Sequence, residues 1–414
     1  MVKQKLTVSR ILALLQKAMQ NKVLKMSPAR TIQLLISLYC IFTANAQTDS
    51  QKQKARGFVA FANPENGGRV EVGSVTAETL KSGLTTVFLP VVYIIVLAVG
   101  LPVNAMTIWV FVFRTKKKHP AAIYMANLAL SDVLFVIWLP LKISYHFKGN
   151  NWVYGEELCK VLVGFFYGNM YCSILFIACL SVQRYWAVAY PLSQLKKDNH
   201  VACVISLAIW FVVCCSTTPL YLYDQTVSFQ SLDITTCHDV NVIRDVQNPF
   251  QDIKYPYVYF ILMFGLMFLV PSLVIILAYI CLIRKLGDSM YDTDIGRKRR
   301  KAVILILIVM VTFVVCFVPS NIVLIIHYTL LKYGVADNGY KLYITVLCLA
   351  SLNSCLDPFI YYYVSEDFRD SVRNTLLCRS HRQVERLKVS FNSMKYSKKS
   401  NVYSPDNSHT QTSD

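Results

Sequence analysis

The sequence predicts an all-α membrane protein, a bundle of seven transmembrane helices followed by a short amphipathic eighth helix. Three observations lead there. Seven long apolar runs lie between Leu84 and Val364. The chain is 55% hydrophobic and only 16% charged, with the charges gathered in blocks between those runs. The last run also keeps Asp357 and Pro358, which are costly in lipid unless they face a bundle interior.

The expected spans are Leu84–Phe113, Ala121–Phe147, Leu158–Tyr190, Val201–Leu222, Tyr255–Leu286, Ala302–Leu331 and Leu342–Val364. Each reaches the roughly 20 residues that a helix needs to cross a bilayer. No repeat with a period of about 20–50 residues is visible, which argues against a solenoid. Basic residues mark one side of the membrane: Arg114 and Lys116–Lys118 after the first span, Lys196 and Lys197 after the third, and Arg297–Lys301 before the sixth. The loop before the fifth span is acidic, with Asp224, Asp233, Asp239, Asp245 and Asp252. The positive-inside rule therefore places the N-terminus outside and the C-terminus in the cytoplasm of a multi-pass cell-membrane protein. The net charge of +18 fits topology and contact with anionic membrane lipid. It does not point to nucleic acid, because no soluble domain presents the basic residues.

The N-terminal segment carries an address. Arg30 precedes an apolar run from Ile32 to Phe42, and Ala44-Asn45-Ala46 supplies a small-x-small exit, so residues 1–46 are expected to be a signal peptide. Translation can start at Met1 or at Met26. Residues 47–83 are polar and too poor in apolar side chains to bury a core, so a disordered extracellular segment is expected there. Within it, Arg56 is followed by Gly57-Phe58-Val59-Ala60-Phe61. A basic residue in a disordered stretch suits a protease with an acid-lined specificity pocket. A cut after Arg56 would expose an amine on Gly57 followed by apolar anchors, tethered to the bundle at high effective concentration. Arg69 is a second candidate, leading into the less apolar Val70-Glu71-Val72.

Of thirteen cysteines, only Cys159 and Cys237 fall on the outer side of the mature chain, and in a secretory context they are expected to form a bridge. Cysteines inside the spans read as small packing residues. After the bundle (84–364), residues 365–378 place Phe368, Val372 and Leu376 at helical spacing, which predicts a surface helix ending in a palmitoylated Cys378. Residues 379–414 are expected to be a disordered cytoplasmic tail, whose serines would be kinase substrates for arrestin docking. No Asn-x-Ser/Thr sequon occurs.

Taken in order, several motifs resemble a class A, rhodopsin-like G-protein-coupled receptor. They are Asn104 in Gly-Leu-Pro-Val-Asn, Asp132 in Leu-Ala-Leu-Ser-Asp, Gln183-Arg184-Tyr185, Trp210, Pro271, Phe313–Pro319 and Asp357-Pro358-Phe359-Ile360-Tyr361. The departures are Gln183 for the family's Asp, Phe317 for its Trp and Asp357 for its Asn. Cys237-His238-Asp239-Val240, Asn150-Asn151-Trp152, Gly168–Ser173 and Ser365–Asp370 are similar to the protease-activated receptors, and Ser181–Trp186 and Leu377–Ser380 look most like their trypsin-sensitive member. That resemblance implies no enzyme activity. It implies activation by an extracellular trypsin-like serine protease that cuts between Arg56 and Gly57, with Gly57, Phe58, Val59, Ala60 and Phe61 as a tethered ligand. Heterotrimeric G proteins of the Gq, calcium-mobilising class, receptor kinases and arrestin are the implied intracellular partners. Gly57 departs from the relatives' usual Ser. The lack of a Pro before Arg56, and of a dense acidic run after it, favours a trypsin-like protease over thrombin.

The same resemblance places Asp132, Ser173, Asn353 and Asp357 in a polar network that holds a sodium ion in class A relatives. Two neighbouring buried carboxylates need a shared cation or proton, so the alternative is one protonated Asp. No other cofactor is expected. Arg184, Phe317, Pro319 and Tyr361 are the expected activation switches, with Pro319 as a hinge. Charge complementarity makes Asp239 the expected partner of the Gly57 amine, with His238, His327 and Tyr328 lining the mouth. A receptor for a diffusible peptide would share every bundle motif and not need Arg56. An intramembrane aspartyl protease is disfavoured by the lack of a Gly-x-Gly-Asp setting at Asp357, and a transporter by the lack of inverted repeats.

Overall fold

A computed structural model describes residues 58–63, 69–72, 74–114, 119–190, 199–230, 232–238, 240–243, 249–287, 293–332, 340–364, 368–369 and 372–373. Seven helices among them are long and apolar enough to cross a membrane: Leu84–Phe113, Pro120–Phe147, Glu156–Ala189, Asn199–Leu222, Lys254–Lys285, Val303–Leu330 and Lys341–Tyr362. They are spans one to seven below. Their ends fall within two residues of the sequence expectation.

Span three is the hub. Its most apolar window is 72% buried inside the protein, against 28% for span four, which lies at the rim. Side chains such as Leu207, Leu266, Leu307 and Val314 point outward and are more than 60% exposed. In water so much exposed apolar surface would be a liability; in a bilayer it is the lipid face.

Prolines shape the helices in a regular way. Wide π turns at Leu84–Phe88, Phe264–Leu269 and Phe313–Phe317 each end two residues before a proline, namely Pro90, Pro271 and Pro319. A proline has no N–H and its ring crowds the carbonyl four residues back, so widening the preceding turn relieves both problems. Span two breaks at Ile137 and Trp138, just before Pro140.

Span seven is not one continuous helix. It runs as Tyr340–Ala350, a tight turn at Ser351 and Leu352, then Asn353–Val364. Pro358 cannot donate to the carbonyl of Ser354, four residues back. The Asn104 amide of span one takes that carbonyl instead, at 2.8 Å. One prolyl residue thus ties spans one and seven together through a backbone group that it left free.

The segment before the bundle departs from the disordered stretch expected over 47–83. Strand β1 (Phe58–Asn63) lies between β2 (Arg69–Val72) and a strand of the loop before span five, and a helix follows at Ser74–Lys81. That loop also carries a hairpin of β3 (Thr226–Phe229) and β4 (Ile234–Cys237), and continues into β5 (Val240–Ile243), the strand that pairs with β1. Composition pointed to a segment with no core of its own. It missed that an extended strand can order itself on another strand's main chain, which needs no core.

The proposed Arg56 and Gly57, Asp239 and Cys378, the signal segment and the tail beyond residue 373 lie outside the described residues. Of the expected eighth helix, Phe368–Arg369 and Val372–Arg373 are helical. Phe368 is buried, stacked on Phe111 with ring centroids 5.2 Å apart.

Candidate functional site

Two polar centres stand out in the bundle. The outer one begins at the disulfide between Cys159, at the start of span three, and Cys237, at the end of β4. The bridge brings the loop onto the mouth, and Glu156, one turn before Cys159, secures it further. Its carboxylate accepts hydrogen bonds from the backbone N–H groups of Gln225 and Thr226 and from the Thr226 hydroxyl.

The next residue after the bridge, His238, adopts a left-handed backbone with φ of 67°. That turn is held because its N–H donates to the Gln225 carbonyl at 2.8 Å, while its Nδ1 lies 2.8 Å from the Gln225 side-chain oxygen. The other ring nitrogen, Nε2, lies 3.3 Å from the Tyr167 hydroxyl, which in turn lies 3.1 Å from that of Tyr343. His327 stacks flat on Tyr343 with centroids 5.4 Å apart. The loop, span three, span seven and span six are thereby linked through one run of polar and aromatic rings.

Beside this run is a cavity of about 60 Å³ lined by His238, Tyr167, Tyr343, Lys142, His146 and Asn150, with apolar side chains between them. Part of its wall is tied by hydrogen bonds. His146 Nδ1 lies 2.7 Å from the Asn150 side-chain oxygen, and the Asn150 amide donates to the Leu80 carbonyl at 2.5 Å. Of the mouth residues expected from sequence, His238 lines this cavity. His327 lies one layer behind it through Tyr343, and Tyr328 packs against Phe260 with centroids 5.0 Å apart.

The second centre lies deeper and joins spans two, three and seven. Asp132 Oδ1 accepts from the Asn169 amide and from the Ser354 hydroxyl, both at 2.8 Å. The Asn353 amide donates to the Ser173 hydroxyl at 3.0 Å and to the Asn169 side-chain oxygen at 3.3 Å. Asp132, Ser173, Asn353 and Asp357 are all fully or almost fully buried. Yet Asp132 Oδ2 and both Asp357 oxygens accept no hydrogen bond from the described residues. Buried carboxylate oxygens without donors are expensive when ionised.

Residues 103–361 match the family described as 7 transmembrane receptor (rhodopsin family). Proteinase-activated receptor 2 of Mus musculus is 48% identical over 393 residues, covering 92% of this chain and 96% of the relative. The Bos taurus receptor of the same name is 52% identical over 337 residues, covering 80% and 83%. Proteinase-activated receptor 3 of Homo sapiens is 41% identical over 303 residues, covering 73% and 78%. The chain belongs to the rhodopsin family of seven-transmembrane receptors, among the proteinase-activated receptors. It is a receptor in the membrane, not an enzyme, so its paired carboxylates do not do hydrolytic work.

The residues expected as switches sit at packing joints of the receptor. Phe317 is fully buried, closes the wide turn before Pro319 and meets Phe313 edge-on at 5.2 Å. The carbonyl of Phe317 accepts from the Asn321 amide at 2.9 Å. Tyr361 is fully buried and meets Phe368 edge-on at 6.1 Å; its hydroxyl makes no hydrogen bond to the described residues. Arg184 is half-buried in the last two turns of span three, next to a buried Gln183. Sequence reasoning missed Tyr167, Tyr343, His146 and Asn169. A polar or aromatic residue inside an apolar run was visible in each case, but their convergence depends on which helix faces turn inward.

Proposed function

We propose that the receptor is switched on by an extracellular trypsin-like serine protease that cuts after Arg56. The new N-terminus, Gly57-Phe58-Val59-Ala60-Phe61, then acts as a tethered ligand on the outer mouth. The observation that carries this reading is that β1, which begins two residues after Arg56, pairs with the loop strand β5 rather than standing apart from the receptor. β5 starts two residues after His238, and His238 lines the outer cavity. The pairing sets Phe58 opposite Val240; Gly57 and Asp239 are the residues that precede these two in sequence. Asp239 as the partner of the Gly57 ammonium is consistent with that register and with charge complementarity.

From the mouth, displacement of His238 reaches spans three and seven through Tyr167 and Tyr343. Spans seven and six then carry the change inward through Asp357, Pro319 and Phe317, and an outward swing of span six frees Arg184 for a G protein of the Gq, calcium-mobilising class. Tyr361 is the inward-moving partner of Arg184. The deep pocket suits a sodium ion: its polar groups are carboxylates, hydroxyls and amides, and Asp132 Oδ2 and the Asp357 carboxylate are buried and accept no well-formed hydrogen bond from the described residues. When bound, sodium supplies positive charge that lets both carboxylates stay ionised and favours the resting bundle. The N-terminus lies outside and the C-terminus in the cytoplasm, where the serine-rich tail serves receptor kinases and arrestin. Cys378 carries palmitate into the lipid.

The test compares intracellular calcium after trypsin in cells expressing the parent and an Arg56→Ala variant, beside a free peptide copying Gly57–Phe61. Trypsin is expected to fire the parent and not the variant, while the peptide fires both. A variant that answers trypsin like the parent would remove Arg56 as the switch and leave Arg69 as the next candidate. A parent that stays silent after verified cleavage at the cell surface, even in a readout independent of calcium, while still answering a free peptide, would favour a receptor for a diffusible ligand.

A further inference from the structure

The segment assigned above as the ligand is already in a defined place in the intact chain. β1 is the middle strand of the sheet β2-β1-β5. Along β5 it runs parallel, with Phe58, Val59, Ala60 and Phe61 opposite Val240, Asn241, Val242 and Ile243. Along β2 it runs antiparallel, with Ala60 to Asn63 opposite Val72 to Arg69. β5 begins three residues after Cys237, which the disulfide ties to span three.

Resting on the cleavage reading, we infer that the intact receptor stores its ligand segment on the loop before the cut, as a strand held between β2 and β5. Cleavage then does not deliver the ligand to the receptor; it frees the leading amine of a strand that is already seated. β2 is the clasp. Strand addition holds a segment by its main chain, so the storage is indifferent to most side chains and is fixed by register. A slip of one residue would turn every side chain to the opposite face, so the register of the two pairings is the feature to test. Over Ala60 and Phe61, where the two pairings overlap, β1 has no open edge, which limits its chance of recruiting another chain while it waits on a cell surface. The effective concentration of the ligand at the loop is therefore high before any protease arrives.

The first test uses the full-length receptor carrying Arg56→Ala, so that cleavage at that site plays no part. Ala60→Cys with Val242→Cys joins register partners. Paired strands lie about 4.8 Å apart, inside the roughly 4.4–6.8 Å range for a disulfide. Ala60→Cys with Val240→Cys is the off-register control. After mild oxidation in cells, the linked peptide is read by mass spectrometry, in receptors that still answer the free Gly57–Phe61 peptide. The aligned pair is expected to cross-link and the offset pair to do so severalfold less. If neither links, or both link equally, the strand is not stored in this register and the inference falls. Failure of the cleavage reading shows elsewhere, as a trypsin signal that survives Arg56→Ala.

A second variant probes the clasp. Val70→Gly, Glu71→Ser and Val72→Gly remove the strand-forming side chains of β2 and leave β5 intact. Trypsin is expected to give half-maximal calcium at a severalfold lower concentration, with the potency of the free peptide unchanged. Unchanged trypsin potency would remove β2 from the device.

Discussion

The two polar centres of the bundle are built on opposite principles. At the mouth, Gln225, His238, Tyr167 and Tyr343 form an unbroken run of hydrogen-bonding groups with no carboxylate among them. In the deeper pocket two carboxylates lie buried, and three of their four oxygens accept no hydrogen bond from the described residues. A satisfied run rigidifies what it joins, so it suits the transmission of a displacement. A buried pair of carboxyl groups with unsatisfied oxygens has more than one solution, with a cation, with a proton or with a rearranged bundle, so it suits a switch. The difference separates a part that positions from a part that changes state.

The largest effect is expected from breaking the frame on which the outer run depends. Cys237→Ala removes the bridge to Cys159, whose loss in small secreted domains costs about 2–5 kcal/mol. Here that cost falls on the loop that holds His238 and β5. Response to the free Gly57–Phe61 peptide should be lost at receptor surface levels that antibody labelling shows to be adequate. A full response would mean that Glu156 and the β3–β4 hairpin suffice to seat the loop.

The second prediction sharpens the contrast at the deeper centre. If its unsatisfied oxygens hold sodium, replacing sodium by a bulky organic cation should raise peptide potency in the parent by about fivefold, the low end of ordinary allosteric couplings. Asp132→Asn combined with Asp357→Asn should abolish that ion dependence. The mouth variant Tyr167→Phe should keep it. Equal ion dependence in parent and double variant would place the sodium effect elsewhere.

The smallest effect is expected from Tyr167→Phe itself. It deletes one hydroxyl that joins His238 to Tyr343, and each hydrogen bond of this kind contributes about 0.5–1.5 kcal/mol. Peptide potency should fall by about twofold to threefold, the lower end of that range, since about 1.4 kcal/mol corresponds to a factor of ten. No change in potency at equal expression would show that the run is only structural.

Much of this receptor was legible in one dimension. Span one was expected at Leu84–Phe113 and is found there, because twenty or more apolar residues in a row have few other uses. The Cys159–Cys237 bridge was legible because only two cysteines lay on the oxidising side. Asp132 and Asp357 were conspicuous because carboxylates in apolar runs are rare. The cavity residues Tyr167, Tyr343 and His146 were not legible, since tyrosine and histidine at these places also serve as packing. The expectation of disorder before span one failed for β1, whose partner β5 lies far along the chain. Periodicity reports on a residue's neighbours in sequence and is blind to such a pairing.

The sequence alone thus determined what each spanning segment must do about water and lipid: span, turn or face outward. Those choices follow from transfer energies that each residue carries with it wherever it sits. Only the tertiary structure decided which groups meet. That Asn104 takes the carbonyl released by Pro358, that His238 reaches Tyr167, and that Phe58 aligns with Val240 all depend on the relative rotation and register of elements distant in the chain. Hydrogen bonds are directional and short-ranged, so they are settled last, once apolar packing has fixed which faces lie together.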